Sequence, residues 1–117
     1  MQVYVKGSVA AVEFYQKAFG AELTKEFKND DGSYIHAELD VFGQVFALSE
    51  TQEEKQVSGN TMQFGLHFGQ GNVQNIHKAY EVLKEGAKIT HPLGPGSYSS
   101  CMFNLIDKFG VNWCLYE

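Results

Sequence analysis

The sequence predicts an α+β fold: two βαβββ modules related by pseudo-twofold symmetry, forming a curved mixed sheet around a cavity. Three observations carry this. The segment Asp40-Val41-Phe42-Gly43-Gln44-Val45-Phe46-Ala47-Leu48-Ser49-Glu50 returns as Asp107-Lys108-Phe109-Gly110-Val111-Asn112-Trp113-Cys114-Leu115-Tyr116-Glu117, with Asp, Phe, Gly, Leu and Glu in the same places. Upstream of each copy, Phe14 to Leu23 is answered by Ala79 to Ile89. Such self-similarity marks a repeated supersecondary unit. Finally, the period of the apolar residues switches between strand and helix values in the same order in both halves.

Taken in order, Val3 and Val5 alternate with Gln2, Tyr4 and Lys6, a strand pattern. Ser8 is suited to cap a helix whose apolar stripe is Ala11, Val12, Tyr15, Ala18 and Phe19, and Gly20 stops it. Leu23 to Lys28 reads as a strand, Asn29 to Gly32 as a turn, and Tyr34 to Val41 and Gln44 to Ser49 as two further strands. This first module covers about residues 1–50. Residues 51–60 or so are polar and aperiodic, which makes them a linker. The second module, about 61–117, starts with a strand over Met62 to Phe68. Asn72 then caps a helix with the stripe Val73, Ile76, Tyr80 and Leu83, and Gly86 ends it. Ile89 opens a strand, Pro92 to Gly96 makes a loop, and strands over Tyr98 to Ile106 and Val111 to Tyr116 complete the unit.

At 117 residues and 44% hydrophobic, the chain can bury one real core. A net charge of −5 argues against nucleic acid, which calls for a basic stripe. No apolar run is long enough to span a bilayer, and Met1 leads directly into a strand with no secretory leader pattern. Two cysteines, Cys101 and Cys114, are too few for a disulfide framework and read as buried thiols. A cytoplasmic protein with no nucleic-acid or membrane partner is expected.

The element order, together with Phe14-Tyr15, Phe19-Gly20 and the closing Asp107-Lys108-Phe109-Gly110-Val111-Asn112-Trp113, resembles the vicinal oxygen chelate superfamily of glyoxalase I, extradiol dioxygenases and the bleomycin and fosfomycin resistance proteins. His36-Ala37-Glu38-Leu39 and the Asp-x-Phe-Gly-Val-x-Trp ending are most similar to the PhnB-like subgroup. Subgroup members often carry a 3-demethylubiquinone methyltransferase label, yet this chain has no glycine-rich strand-to-helix turn for a nucleotide-like methyl donor. The resemblance implies a homodimer, a reading that exposed first-strand edges also favour. It further implies four metal-ligand positions, which fall at or just before Met1 and at Ala47, Gln63 and Cys114. Ala47 has no donor, Gln63 is a weak one, and a soft Cys114 thiolate is an odd partner for hard, oxygen-preferring ions. His67 cannot join Gln63 on one ion, because four residues along a strand span roughly 13 Å. The expectation is therefore no metal and no cofactor.

Strand parity assigns side chains to faces. Val3, Val5, Phe46, Leu48, Met62, Phe64, Leu66, Phe68, Trp113 and Leu115 go to the helix side. The opposite face then carries Gln63, Gly65 and His67 beside Asn112, Cys114 and Tyr116, a set too small and polar to fill itself. The expected ligand-binding residues are Gln63, His67, Cys114 and Tyr116, with Tyr98 as an amphipathic lid and His36 as a pocket imidazole, while His77 reads as structural and His91 as solvated. The function expected is metal-free binding of a small molecule in the cavity between the modules. The alternatives are a glyoxalase- or dioxygenase-type enzyme (lyase or oxidoreductase), a resistance-type protein that sequesters its ligand, and a purely assembling protein.

Overall fold

β1 (Gln2–Val5), α1 (Ser8–Phe19), β2 (Glu22–Lys28), β3 (Tyr34–Val41) and β4 (Gln44–Glu50) form the first βαβββ unit. β5 (Phe64–His67), α2 (Val73–Leu83), β6 (Lys88–Gly94), β7 (Met102–Ile106) and β8 (Asn112–Tyr116) form the second. The computed structural model describes residues 1–117 and divides into Met1–Val57 and Ser58–Glu117. Each unit holds one four-stranded mixed sheet, in the orders β1-β4-β3-β2 and β5-β8-β7-β6. The first strand of each pairs in parallel with the last, and the remaining pairs are antiparallel. No helix is long and apolar enough to cross a membrane.

Each helix covers one face of its own sheet. In the first unit Tyr15 meets Phe46 edge-on, ring centroids 5.0 Å apart, over buried Ala37, Leu39 and Leu48. In the second, Tyr80 meets Phe103 in the same way at 5.0 Å, and Ile76, Ala79 and Leu83 close over Leu105, Trp113 and Leu115. Burying side chains of this size is worth about 1.5–3 kcal/mol each, so these layers, rather than helix propensity, hold the two short helices.

The units also share a β-bulge. Leu23 pairs with Leu39 and Lys25 with Glu38, which leaves Thr24 extra; Ile89 pairs with Leu105 and His91 with Asn104, which leaves Thr90 extra. A second bulge sets Ile35 apart between Tyr34 and His36. It turns Ile35 outward, 56% exposed, and leaves Tyr34 buried at 6%.

Several expected boundaries move. Residues 51–63 carry neither helix nor strand, and Met62, expected on the helix side, precedes β5 and is 76% exposed. β6 runs on through Pro92 to Gly94, because as an edge strand it can hold a proline on its unpaired side. β7 starts at Met102 rather than Tyr98, leaving 95–101 as a loop. Ser8 lies inside α1 and does not cap it; the cap position is Gly7, and Glu50 supplies the acceptor from β4. α2 stops at Leu83, with Gly86 left-handed beyond its end.

The repeated Asp-x-Phe-Gly segment does not make the same turn twice. Val41 pairs with Gln44 across a two-residue turn with Phe42 at φ 51° and Gly43 at φ 83°, the left-handed pair that a type I′ hairpin needs. In the second copy Ile106 pairs with Asn112, and three residues, Lys108 to Gly110, make the turn. The cause is Asp107. Its buried carboxylate accepts the Phe109 and Val111 amides and the indole N–H of Trp113 at 2.9 Å, and so pins the longer loop. Asp40 is exposed and accepts the Gly43 amide, and its copy carries Phe46 at the position of Trp113, so it has no indole N–H to accept.

Candidate functional site

The face of the second sheet turned away from α2 is built in rows. β5, β8, β7 and β6 are in register, so Gly65, Cys114, Asn104 and His91 form a central row running across all four strands. His67, Tyr116, Met102 and Gly94 form the next row. On the other side Asn112 pairs with Ile106, and Gln63 donates to Asn112 Oδ1 at 3.2 Å.

The Tyr116 ring stacks on His67 at 5.1 Å, and Tyr98 stands edge-on to Tyr116 at 5.6 Å. The Tyr98 hydroxyl hydrogen-bonds the Cys114 thiol, 3.3 Å from Sγ. That bond first, and desolvation second, push the Tyr98 pKa above the ordinary tyrosine range, so Tyr98 stands here as a neutral hydroxyl and not as a base. The 95–101 loop that carries it is tied down by Ser99, whose hydroxyl reaches Cys101 O at 2.8 Å and Glu117 O at 3.1 Å. Gly96 lies so close against the Met102 side chain that a larger residue there would have to displace it. Cys101 is buried apart from this face, and its burial raises the thiol's pKa.

Gln63, His67, Tyr98, Cys114 and Tyr116 therefore come together as one continuous surface. Gly65 leaves a gap in it, since a Cβ added there would meet only Tyr116 Cε1, at 3.9 Å. His36 is on a strand of the first unit. It belongs to the open face of the first unit, where its Nε2 lies 2.9 Å from Glu38 Oε1, and that bond is the main cause holding the Glu38 carboxyl below its usual range. His77 is exposed on α2. His91, expected in an open loop, is half-buried in the central row because the strand continues through it.

Sequence reasoning missed Asn104. It is the one amide in the apolar strand Met102-Phe103-Asn104-Leu105-Ile106, and a lone polar residue in such a strand was the available signal. The first unit has its own polar cleft of about 700 Å³, lined by Lys6, Asp31, Glu50 and Thr51 among others. Two of its three carboxylates are already engaged, Glu50 by the start of α1 and Asp31 by Ser33.

The sequence profile of the Glyoxalase/Bleomycin resistance protein/Dioxygenase superfamily matches residues 1–115. This chain belongs to that superfamily. Among solved structures, it is similar to a putative 3-demethylubiquinone-9 3-methyltransferase, PhnB protein, from Bacillus cereus, at 23% identity and a TM-score of 0.81, covering 99% of this chain and 95% of that one. Protein PA1353 from Pseudomonas aeruginosa matches at 19% identity and TM-score 0.77 over 98% and 92% of the two chains. The fosfomycin resistance protein FosX from Listeria monocytogenes matches at 14% and 0.71 over 98% and 88%. None of the curated proteins matches the chain. These likenesses establish the glyoxalase-like fold.

A FosX variant from Listeria monocytogenes is described in complex with Mn(II). The residues of this chain do not fit such an ion. Ala47 offers no donor atom, Gln63 is bonded to Asn112, and the Cys114 thiol is bonded to Tyr98. No three His, Cys, Asp or Glu side chains stand close enough together to hold a metal.

Proposed function

We propose that this chain is a PhnB-like member of the superfamily that binds a small molecule on the open face of its second unit, without a metal. The observation that carries this reading is the continuous surface of Gln63, His67, Cys114, Tyr98 and Tyr116, left unfilled at Gly65. Aromatic walls with a few convergent polar groups are what a small-molecule site offers. The donor set supports the absence of a metal, and the raised pKa of Tyr98 favours binding over proton transfer.

The test uses planar aromatic fragments, quinoline among them, followed by ligand-observed NMR. Gly65→Leu is expected to keep the fold, since Gly65 has no left-handed backbone to lose, and to abolish fragment binding by filling the gap. Elemental analysis is expected to find far less than one divalent ion per chain. Chelator is expected to leave the Tm unchanged, because a metal held only by the folded state would raise it. Stoichiometric metal with a chelator-sensitive Tm, or undiminished binding by Gly65→Leu, would overturn the reading.

A further inference from the structure

Two buried side-chain polar atoms in this chain have no hydrogen-bond partner: His91 Nδ1 and Asn104 Oδ1. Their residues are register neighbours on β6 and β7, so both atoms belong to the central row His91-Asn104-Cys114-Gly65. An orphaned buried polar atom costs about 1–3 kcal/mol, and native folds keep very few of them. Here two adjoin on the face already read as a site.

The loop over residues 95–101 packs on the strand neighbours of these two residues. Gly96 rests on Met102, and Tyr98 reaches Cys114, which is Asn104's own strand partner. Tyr98 itself is 64% exposed and is held by one thiol bond and the edge of the Tyr116 ring, while Ser99 anchors the loop behind it. Asn104 Oδ1 is an acceptor, and His91 Nδ1 is one in its Nε2–H tautomer. Two acceptors side by side call for one group with two coplanar donors. That description fits an amino group on a planar ring. Two strands away lies the gap at Gly65, about 10 Å from Asn104, the length of a bicyclic amine with its hydrogen bond.

We propose that the central row recognises an amino-substituted planar heteroaromatic compound, which enters under Tyr98. Its amino group gives one hydrogen to Asn104 Oδ1 and the other to His91 Nδ1, while its ring lies over Cys114 and Gly65 beside Tyr116. This rests on the reading that the open face of the second unit binds a small molecule.

The probe pair is 3-aminoquinoline and quinoline, titrated calorimetrically at about pH 8 against the full chain, Asn104→Leu and Asn104→Asp. The full chain is expected to bind the amine at least about tenfold more tightly than quinoline. Asn104→Leu should lose most of that preference, keeping only the part due to His91, and Asn104→Asp, which keeps the acceptor, should retain it. Without any ligand, Asn104→Leu should melt no lower than the parent chain, because it removes an atom that had no partner. A clearly lower Tm for Asn104→Leu would show that the amide is already paired and would overturn the proposal. Equal affinity of the full chain for both compounds would overturn it while leaving the small-molecule reading in place. Binding of neither compound overturns both.

Discussion

The Glu50 carboxylate accepts the Gly7 and Ser8 amides and the Ser8 hydroxyl, each at 2.9 Å. Ser8 Oγ in turn takes the Tyr34 amide at 2.9 Å, so one side chain from β4 joins the start of α1 to β3. Burial pushes the Glu50 pKa up, but these hydrogen bonds outweigh it and hold the carboxyl below its usual value of about 4.3. A carboxylate with a depressed folded pKa contributes its full stability above the unfolded value and loses it as pH falls through the folded one. Glu50→Gln is therefore expected to be less stable than the parent chain at neutral pH, with the gap closing below about pH 4. Urea unfolding across that range would measure it; a gap unchanged on acidification would show that charge plays no part. Glu117, the counterpart of Glu50 in the repeat, takes the Ser100 hydroxyl instead and caps nothing. At this scale the sequence was only partly legible. Parity assigned Gln63, His67, Cys114 and Tyr116 to one face because their strands alternate in sequence, whereas His91 follows a bulge that resets the alternation and Asn104 sits in a strand that is apolar on both faces.

Both units place an extra threonine after an Ala-x-Leu or Ala-x-Ile start, at Thr24 and Thr90, so the repeat reaches one residue further than the apolar pattern alone reveals. Where the repeat is weakest in backbone terms is the hairpin, and the reason is a single buried pair, Asp107 with Trp113, present in one copy only. Phe42 holds φ 51° in the tighter hairpin, a conformation that costs a non-glycine residue about 1–2 kcal/mol. Phe42→Asn would give the Asn-Gly pair that type I′ turns favour. It is expected to raise stability by about 1 kcal/mol in thermal or chemical unfolding. A loss of that size instead would mean that contacts of the Phe42 ring outweigh its backbone strain.

At the scale of the whole molecule, each sheet ends in two strands that pair on one side only, β1 and β2 in one unit and β5 and β6 in the other. Unpaired edges invite cover, and we expect a homodimer to supply it. Light scattering at tens of micromolar is expected to return twice the 13.1 kDa chain mass; the monomer mass would refute the expectation. The element order, the helix faces and the polar character of one sheet face were present in the linear text, because each follows from local period and from a segment written twice, and the superfamily was present in the motifs that resemble it. Three things were decided only by folding: which residue caps α1, how long each hairpin turn is, and which polar atoms are buried without a partner. Each depends on what a side chain meets across strands far apart in the chain. Glu50 reaches Gly7 over 43 residues, and Tyr98 meets Cys114 only because the 95–101 loop is tied to the chain's last residue. Spacing along a sequence sets which face a residue takes, but the partner it finds there is set by packing.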